Sequence, residues 1–155
     1  MIQRIQSLYL LVVTVLMAVT LFCPIAKFCV EGEEVILSAF GVSDTVGVLS
    51  SMPVWMGIML AATTLLPLIT IFLFKRRMLQ IRLCGVEVAL LVGDIALMAF
   101  YIYKLYANFF ENIEWSNLII GMPVVMPVVS IILTVLAMRA TLRDELLVRS
   151  LDRIR

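Results

Sequence analysis

Two carboxylic acids interrupt an otherwise apolar segment, GVEVALLVGDIALM, at residues 85–98. Glu87 and Asp94 are seven residues apart and Tyr101 follows after seven more, so a helix would place all three on one face. Ionisable groups inside apolar helices relay protons, bind cations or make polar contacts between helices. Seven residues correspond to about 10.5 Å along a helix, a separation that a proton crosses only through bridging water.

This polar stripe has three interpretations. The first is a proton or cation path from Tyr101 through Asp94 and Glu87 to the cytoplasm. The second, favoured because of the long separation, is a polar contact that fixes helix packing or partner choice; the third is an incidental substitution. Asp94 lies near the middle of the apolar segment, where an Asp costs about 2.5 to 3.5 kcal/mol, so we expect it to be neutral and hydrogen-bonded. Its candidate partners are Thr63, Thr70, Ser130 and Thr134, whereas Glu87 is expected to snorkel or to pair with Arg82 or Arg139.

The opposite face of the same helix carries small side chains. Projected at 100° per residue, four of them fall within about 80° of one another and roughly opposite the acids: Gly85, Ala89, Gly93 and Ala96. Stripes of small residues allow membrane helices to approach each other closely. We therefore expect this helix to be central in its bundle, or to pack on one side against its own chain and on the other against a second protein.

The elements that position these residues are apolar helices. The 155-residue chain is 63% hydrophobic, with a mean hydropathy of +1.12, whereas soluble domains have about 45 to 50% apolar residues. Crossing a bilayer takes about 20 helical residues. The charge-free or nearly charge-free runs predict an all-α membrane protein, a single domain over 1–155 with four transmembrane helices in an antiparallel bundle, at 5–26, 52–74, 80–104 and 118–139.

Basic residues indicate the orientation of this bundle, because Lys and Arg concentrate in cytoplasmic segments. Ten of the twelve would lie on one side, in the N-terminal segment, the loop between spans 2 and 3, and the C-terminal tail; Lys27 and Lys104 would lie on the other. Both termini are therefore predicted to be cytoplasmic, with loops 27–51 and 105–117 outside a bacterial inner membrane. This asymmetry is a topology signal, and a nucleic-acid surface is not expected.

Loop 27–51 has strand character. FCV and EVILSAF flank the turn-like EGE, a pattern that predicts a small extracytoplasmic β-hairpin. Cys23 and Cys29 lie near the same surface, where a disulfide and two simply buried thiols are both open alternatives.

The C-terminal tail, RATLRDELLVRSLDRIR at 140–155, has apolar residues at spacings of three and four and is predicted to be a cytoplasmic helix. It is either a helix on anionic membrane lipids, a docking helix for a partner, or a stop signal for insertion. We favour a helical extension of span 4, because three acids dilute the attraction to lipids. The basic residues of this surface or docking tail are Arg139, Arg143, Arg149 and Arg153.

Catalytic residue patterns are absent from the sequence. There is no histidine, the commonest general base and metal ligand, and no C-x-x-C, G-x-S-x-G or phosphate-binding glycine loop. We expect no enzymatic activity, no catalytic or metal site and no cofactor.

Three segments together resemble an uncharacterised family of small four-helix membrane proteins from Bacteroidota, known as a domain of unknown function: MIQRIQSLYL, FKRRMLQIRLC and MRATLRDELLVRSLDRIR. The resemblance implies an integral inner-membrane protein with four spans and supplies no activity or substrate. We therefore expect a small structural or accessory subunit of an inner-membrane assembly, in contact with lipids and with another membrane protein or a second copy of itself. The alternative is a homo-oligomeric transporter or channel that conducts protons or cations by means of Asp94.

Overall fold

A computed structural model describes residues 3–30, 33–44, 47–50, 54–73, 77–109 and 118–152. Four α-helices extend over Gln3–Phe22 (α1), Val54–Phe72 (α2), Arg77–Phe109 (α3) and Met126–Asp152 (α4). Five strands extend over Ala26–Val30 (β1), Glu33–Leu37 (β2), Val42–Asp44 (β3), Gly47–Ser50 (β4) and Leu118–Ile120 (β5). The predicted combination of four apolar helices and a small antiparallel sheet is confirmed.

The helices form a ring in which α1 and α3 each pack against both α2 and α4. On every helix the buried residues alternate at spacings of three and four, the pattern of knobs-into-holes packing in four-helix bundles. On α3 this series is Gln80, Cys84, Glu87, Leu91, Asp94 and Met98.

The position of α3 in this ring corrects one expectation. One of its faces lies inside the bundle and the other outside, so the prediction that its own chain surrounds α3 on both sides is wrong. The other alternative, a second protein on the outer face, stays a prediction.

Contacts at the two ends of the bundle show that α1 and α4 are antiparallel. Near the start of α1, the side-chain amide of Gln6 donates to Asp144 Oδ2 at 3.0 Å, near the end of α4. At the other end, the backbone N–H of Gly121 donates to the carbonyl oxygen of Ile25 at 2.9 Å. We call these ends the termini end and the sheet end.

The outward faces of all four helices are apolar. Large exposed side chains include Val15 on α1, Leu65 on α2, Val92 on α3 and Ile132 on α4. In the described part of the chain, four stretches are long and apolar enough to cross a membrane: Ile5–Phe22, Val54–Phe72, Met78–Lys104 and Met122–Leu147.

The sheet at the sheet end is larger than the predicted hairpin. β1 and β2 form that hairpin, with Ala26 opposite Leu37 and Val30 opposite Glu33. β3 and β4 continue the sheet beyond β2, and β5, from the connection between α3 and α4, pairs with the free edge of β1. Apolar side chains of the sheet share one core with the ends of the helices: Phe28, Val35, Leu37 and Val42 with Met17, Met56 and Met98.

The fourth helix begins later than predicted. The segment 118–120, assigned to the fourth span, is strand β5, and a 3-10 turn at Met122–Val124 separates it from α4. Pro127 falls in the first turn of α4, where a missing N–H leaves no hydrogen bond unmade. Gly121 allows this crossing, because an added Cβ would lie 2.6 Å from the carbonyl oxygen of Pro24.

One other boundary differs from the sequence prediction. α3 covers Arg77–Phe109, longer than the predicted 80–104 at both ends. α4 continues without a break to Asp152, so over the described residues the tail extends the fourth helix, as the favoured interpretation expects. Cys23 is a free thiol, whereas the side chain of Cys29 lies outside the described residues, so the alternatives for this pair stay predictions.

Candidate functional site in the bundle interior

Polar side chains occupy much of the interior between the four helices. Core positions of soluble bundles are apolar. Here eleven of the described polar or charged side chains are buried: Gln6, Thr14, Thr20, Thr63, Thr70, Gln80, Glu87, Asp94, Ser130, Thr134 and Thr141. We call this set the polar interior. A soluble helix bundle has apolar side chains inside and polar side chains on its surface. The polar interior and the apolar outward faces of this bundle differ from that arrangement.

Asp94 lies in the polar interior and is 0% exposed. The hydroxyl group of Thr63 on α2 donates to its Oδ2 at 2.8 Å, so one of the four hydroxyl side chains named from the sequence is in contact with it. The other carboxyl oxygen, Oδ1, has no hydrogen-bond partner. One of the two carboxyl oxygens of Asp94 therefore has a hydrogen-bond partner within the chain.

Glu87 is also inside the bundle, with 1% of its surface exposed. Neither of its carboxyl oxygens makes a hydrogen bond, and Arg82 and Arg139 are exposed. The expectation that Glu87 snorkels or pairs with one of these arginines is therefore wrong. The physical reason is angular: five residues separate Arg82 from Glu87, which turns their side chains about 140° apart around the helix.

Threonine hydroxyls of the interior donate to their own helices. Thr70 donates to the carbonyl of Leu66 at 2.8 Å, and the same i→i−4 bond is made by Thr14, Thr134 and Thr141. These bonds use the single hydroxyl hydrogen and leave the oxygen lone pairs for other donors. The interior is accordingly rich in acceptors, and the hydroxyl of Ser130 makes no hydrogen bond at all.

Tyr101, the third member of the predicted stripe, is half-buried against the apolar core at the sheet end. Its ring meets that of Phe100 edge to face, with centroids 5.7 Å apart. Met98 lies between Tyr101 and Asp94 on the same face and is buried. A buried apolar side chain therefore interrupts the predicted stripe between Tyr101 and Asp94.

The predicted small-residue face looks outward. Gly85, Ala89 and Ala96 are exposed, and an added Cβ at Gly85 would have no atom within 4 Å. Gly93 is half-buried because Met59 of α2 lies against it, with its Cε 2.9 Å from the position of an added Cβ. This chain's own helices thus leave most of that face uncovered.

Arginines of the tail are exposed where their side chains are described. Arg139 and Arg143 lie on the outer surface of α4 near the termini end. The side chain of Arg149 and the whole of Arg153 lie outside the described residues. Beside them, the bond from Gln6 to Asp144 fastens the tail to α1.

Sequence reasoning missed part of the polar interior. Gln80, seven residues before Glu87, is buried in the same row, and Thr141 repeats Thr134 at the same interval. A repeat of polar residues every seven positions inside apolar helices is the signal that would have found them. Among the described residues there is no group of three or more His, Cys, Asp or Glu side chains that could hold a metal ion.

Four helices long and apolar enough to cross a membrane are arranged around polar side chains in one helix bundle. The chain belongs to the family described as domain of unknown function (DUF4293), whose model matches residues 2–154. The match covers nearly the whole chain. No curated protein shows significant similarity to the chain.

Proposed function

We propose that this chain is an integral protein of a bacterial cytoplasmic membrane, with both termini inside and the sheet outside. The apolar outward faces of the four helices support insertion into lipid. The uneven distribution of Lys and Arg supports the orientation. The test is a pair of C-terminal fusions, because green fluorescent protein folds to a fluorescent state in the cytoplasm and alkaline phosphatase is active outside. Phosphatase activity without fluorescence would reverse the orientation.

Within that membrane we propose a structural or accessory role, as a small subunit without chemistry of its own. The observation that carries this proposal is the exposed small-residue face of α3, formed by Gly85, Ala89 and Ala96. Such a face permits close backbone approach by a helix of another membrane protein or of a second copy. The Arg-bearing surface of α4 at the termini end offers a further contact to anionic lipids or to the same partner.

The experiment is purification from native membranes in mild detergent with identification of co-eluting proteins. Ala89→Leu on the small-residue face should lose the partner. Ala62→Leu, at an exposed alanine of α2, is the matched control and should retain it. A wild-type chain recovered as a lone monomer, or equal retention by both variants, would contradict the accessory role on this face.

A second candidate function, proton or cation conduction, is favoured by the two acids inside the bundle. Because Asp94 faces the interior of its own chain, a path that uses it runs through a single bundle and not between the subunits of an oligomer. The measurement is ion or proton flux in proteoliposomes for wild type and Asp94→Asn. Equal flux in both proteins, or no flux in either, rejects conduction by means of Asp94.

A further inference from the structure

Among the described side chains, no basic group balances the charges of the two buried acids. Arg82, Lys104, Arg139 and Arg143 are exposed and Lys27 is half-buried in β1. An isolated carboxylate in a low-dielectric interior is strongly unfavourable unless a positive charge neutralises it. The described part of the interior therefore offers the acids no positive charge of its own, and a bound proton or cation would supply it.

The hydrogen bonds at Asp94 also indicate that this carboxyl group binds a positive charge. The hydroxyl of Thr63 lies 2.8 Å from Asp94 Oδ2, 3.0 Å from the carbonyl of Leu60 and 3.2 Å from that of Met59. A hydroxyl has one hydrogen and two lone pairs, so it donates to one of these oxygens at a time. A proton on Asp94 would donate to Thr63 and free the threonine hydrogen for its own helix, which satisfies both groups.

Unpartnered oxygen atoms lie in the same polar interior. Both oxygens of Glu87, Oδ1 of Asp94 and the hydroxyl of Ser130 are buried and make no hydrogen bond. Carboxylate and hydroxyl oxygens are ligands that hard cations prefer. Threonines of α2 and α4 add acceptor oxygens, since their hydrogens are used within their helices.

The register of α2 against α3 places the acids at two levels. Thr63 meets Asp94, and because the two helices are antiparallel, seven residues further toward the termini end bring Thr70 to the level of Glu87. The two levels are about 10.5 Å apart along α3, a distance over which charges interact appreciably in a low-dielectric interior. A positive charge bound at one level therefore affects the other.

We propose that the polar interior holds exchangeable cation sites at two levels, one at Asp94 and one at Glu87, each occupied by a proton or by a small hard cation such as Na⁺. The sites do not depend on the accessory role, since they face away from the small-residue face. Of the other described side chains of the interior, Cys84 on α3 is ionisable. The side chains that face the acids from α1, α2 and α4 are not ionisable: Thr14, Thr63, Thr70, Ser130 and Thr134. Asp144 is half-buried at the termini end, where it contacts Gln6.

Access to both sites is from the termini end. Met17, Met56, Leu60 and Met98 fill the interior between Asp94 and the sheet. Toward the opposite end the interior is mixed: a small apolar cluster of Leu10, Cys84 and Ala137 lies among polar side chains that admit water more readily, namely Gln6, Thr70, Gln80 and Thr141.

The test is modification by dicyclohexylcarbodiimide, an apolar reagent that reacts with protonated carboxyl groups. The acid adds across a C=N bond to give an O-acylisourea, which rearranges to an N-acylurea and retains the whole reagent. The purified full chain is labelled in detergent across a pH series, and mass spectrometry locates the adduct. Glu87→Gln and Asp94→Asn, checked for helical content and monodispersity, identify which residue reacts; Glu145→Gln in the tail is the control.

Labelling at Glu87 or Asp94 that falls about tenfold per pH unit above the titration of that residue supports the site at that residue. Protection by NaCl, but not by choline chloride at equal ionic strength, assigns Na⁺ as a ligand, whereas no protection assigns the proton. Na⁺ binding should also raise the unfolding temperature of wild type and not of the double variant. Absence of labelling at both residues at every pH, together with no effect of Na⁺ on unfolding, would overturn the proposal.

Discussion

The two faces of α3 differ in a way that soluble helices do not show. The face toward α2 and α4 carries Glu87, Leu91 and Asp94, whereas the opposite face is exposed and made of glycine, alanine and valine. In water the hydrophobic effect would place these faces the other way round. In the membrane that we propose for this chain, the hydrophobic effect would not hold the helices together, and their association would depend on packing and on hydrogen bonds between them. The interior face would then carry the stability of the bundle, and the outer face would be free for other contacts.

The largest expected effect comes from removing packing on the inner face alone. Leu91 is fully buried between the two acids, whereas its neighbour Val92 is 54% exposed. Leu91→Ala should lower the free energy of unfolding by at least about 2 kcal/mol, because its cavity is enclosed by three other helices. Val92→Ala should change it by less than about 0.5 kcal/mol. Titration with sodium dodecyl sulfate in mixed micelles measures both, and equal losses would remove the distinction between the faces.

A second effect, of opposite sign, is expected at Glu87. Both of its carboxyl oxygens are buried without a partner, and such groups cost about 1 to 3 kcal/mol. Glu87→Met retains the approximate volume and removes the polar atoms, so it should raise the free energy of unfolding by an amount in that range.

The matched control for Glu87→Met is Asp94→Leu, in which the hydrogen bond from Thr63 is lost. This variant should gain less than Glu87→Met, or lose stability. Both are measured by the same titration. A Glu87→Met protein less stable than wild type would show that the acid is satisfied by a group that the fold supplies.

The smallest expected effect concerns glycines of α3. An added Cβ at Gly85 meets nothing within 4 Å, so Gly85→Ala should stabilise the helix by up to about 1 kcal/mol through reduced backbone entropy. At Gly93 the Cβ would meet the end of the Met59 side chain at 2.9 Å, and Gly93→Ala should gain less because that side chain has to move. Thermal unfolding of both variants checks the order, and a larger gain at Gly93 would contradict the close contact with α2.

Much of the helical architecture could be predicted from the sequence, because long apolar runs have few alternatives. Strand β5 could not. Leu118, Ile119 and Ile120 form a short apolar run whose periodicity does not distinguish a strand from the start of a helix. Their partners are in β1, some ninety positions earlier, and such pairing leaves no local trace.

The orientation of α3 shows a different limit. Helical projection separated the acid face from the small-residue face, and both faces exist in the structure as opposite sides of one helix. Projection does not determine which side meets the chain's own helices, since small residues suit a helix contact as well as polar residues do. The contact between Thr63 and Asp94 decides it. That contact depends on the register of two helices, which no pattern within either one specifies.

The sheet gives the bundle a mechanical asymmetry. β1 pairs on one edge with β2, from the connection between α1 and α2, and on the other with β5, from the connection between α3 and α4. Both connections are therefore fastened to one another at the same end. At the opposite end, a hydrogen bond between the side chains of Gln6 and Asp144 joins α1 and α4. Because a side-chain hydrogen bond breaks more readily than a ladder of backbone bonds, we expect amide hydrogens at the start of α1 and the end of α4 to exchange with solvent sooner than those of the sheet.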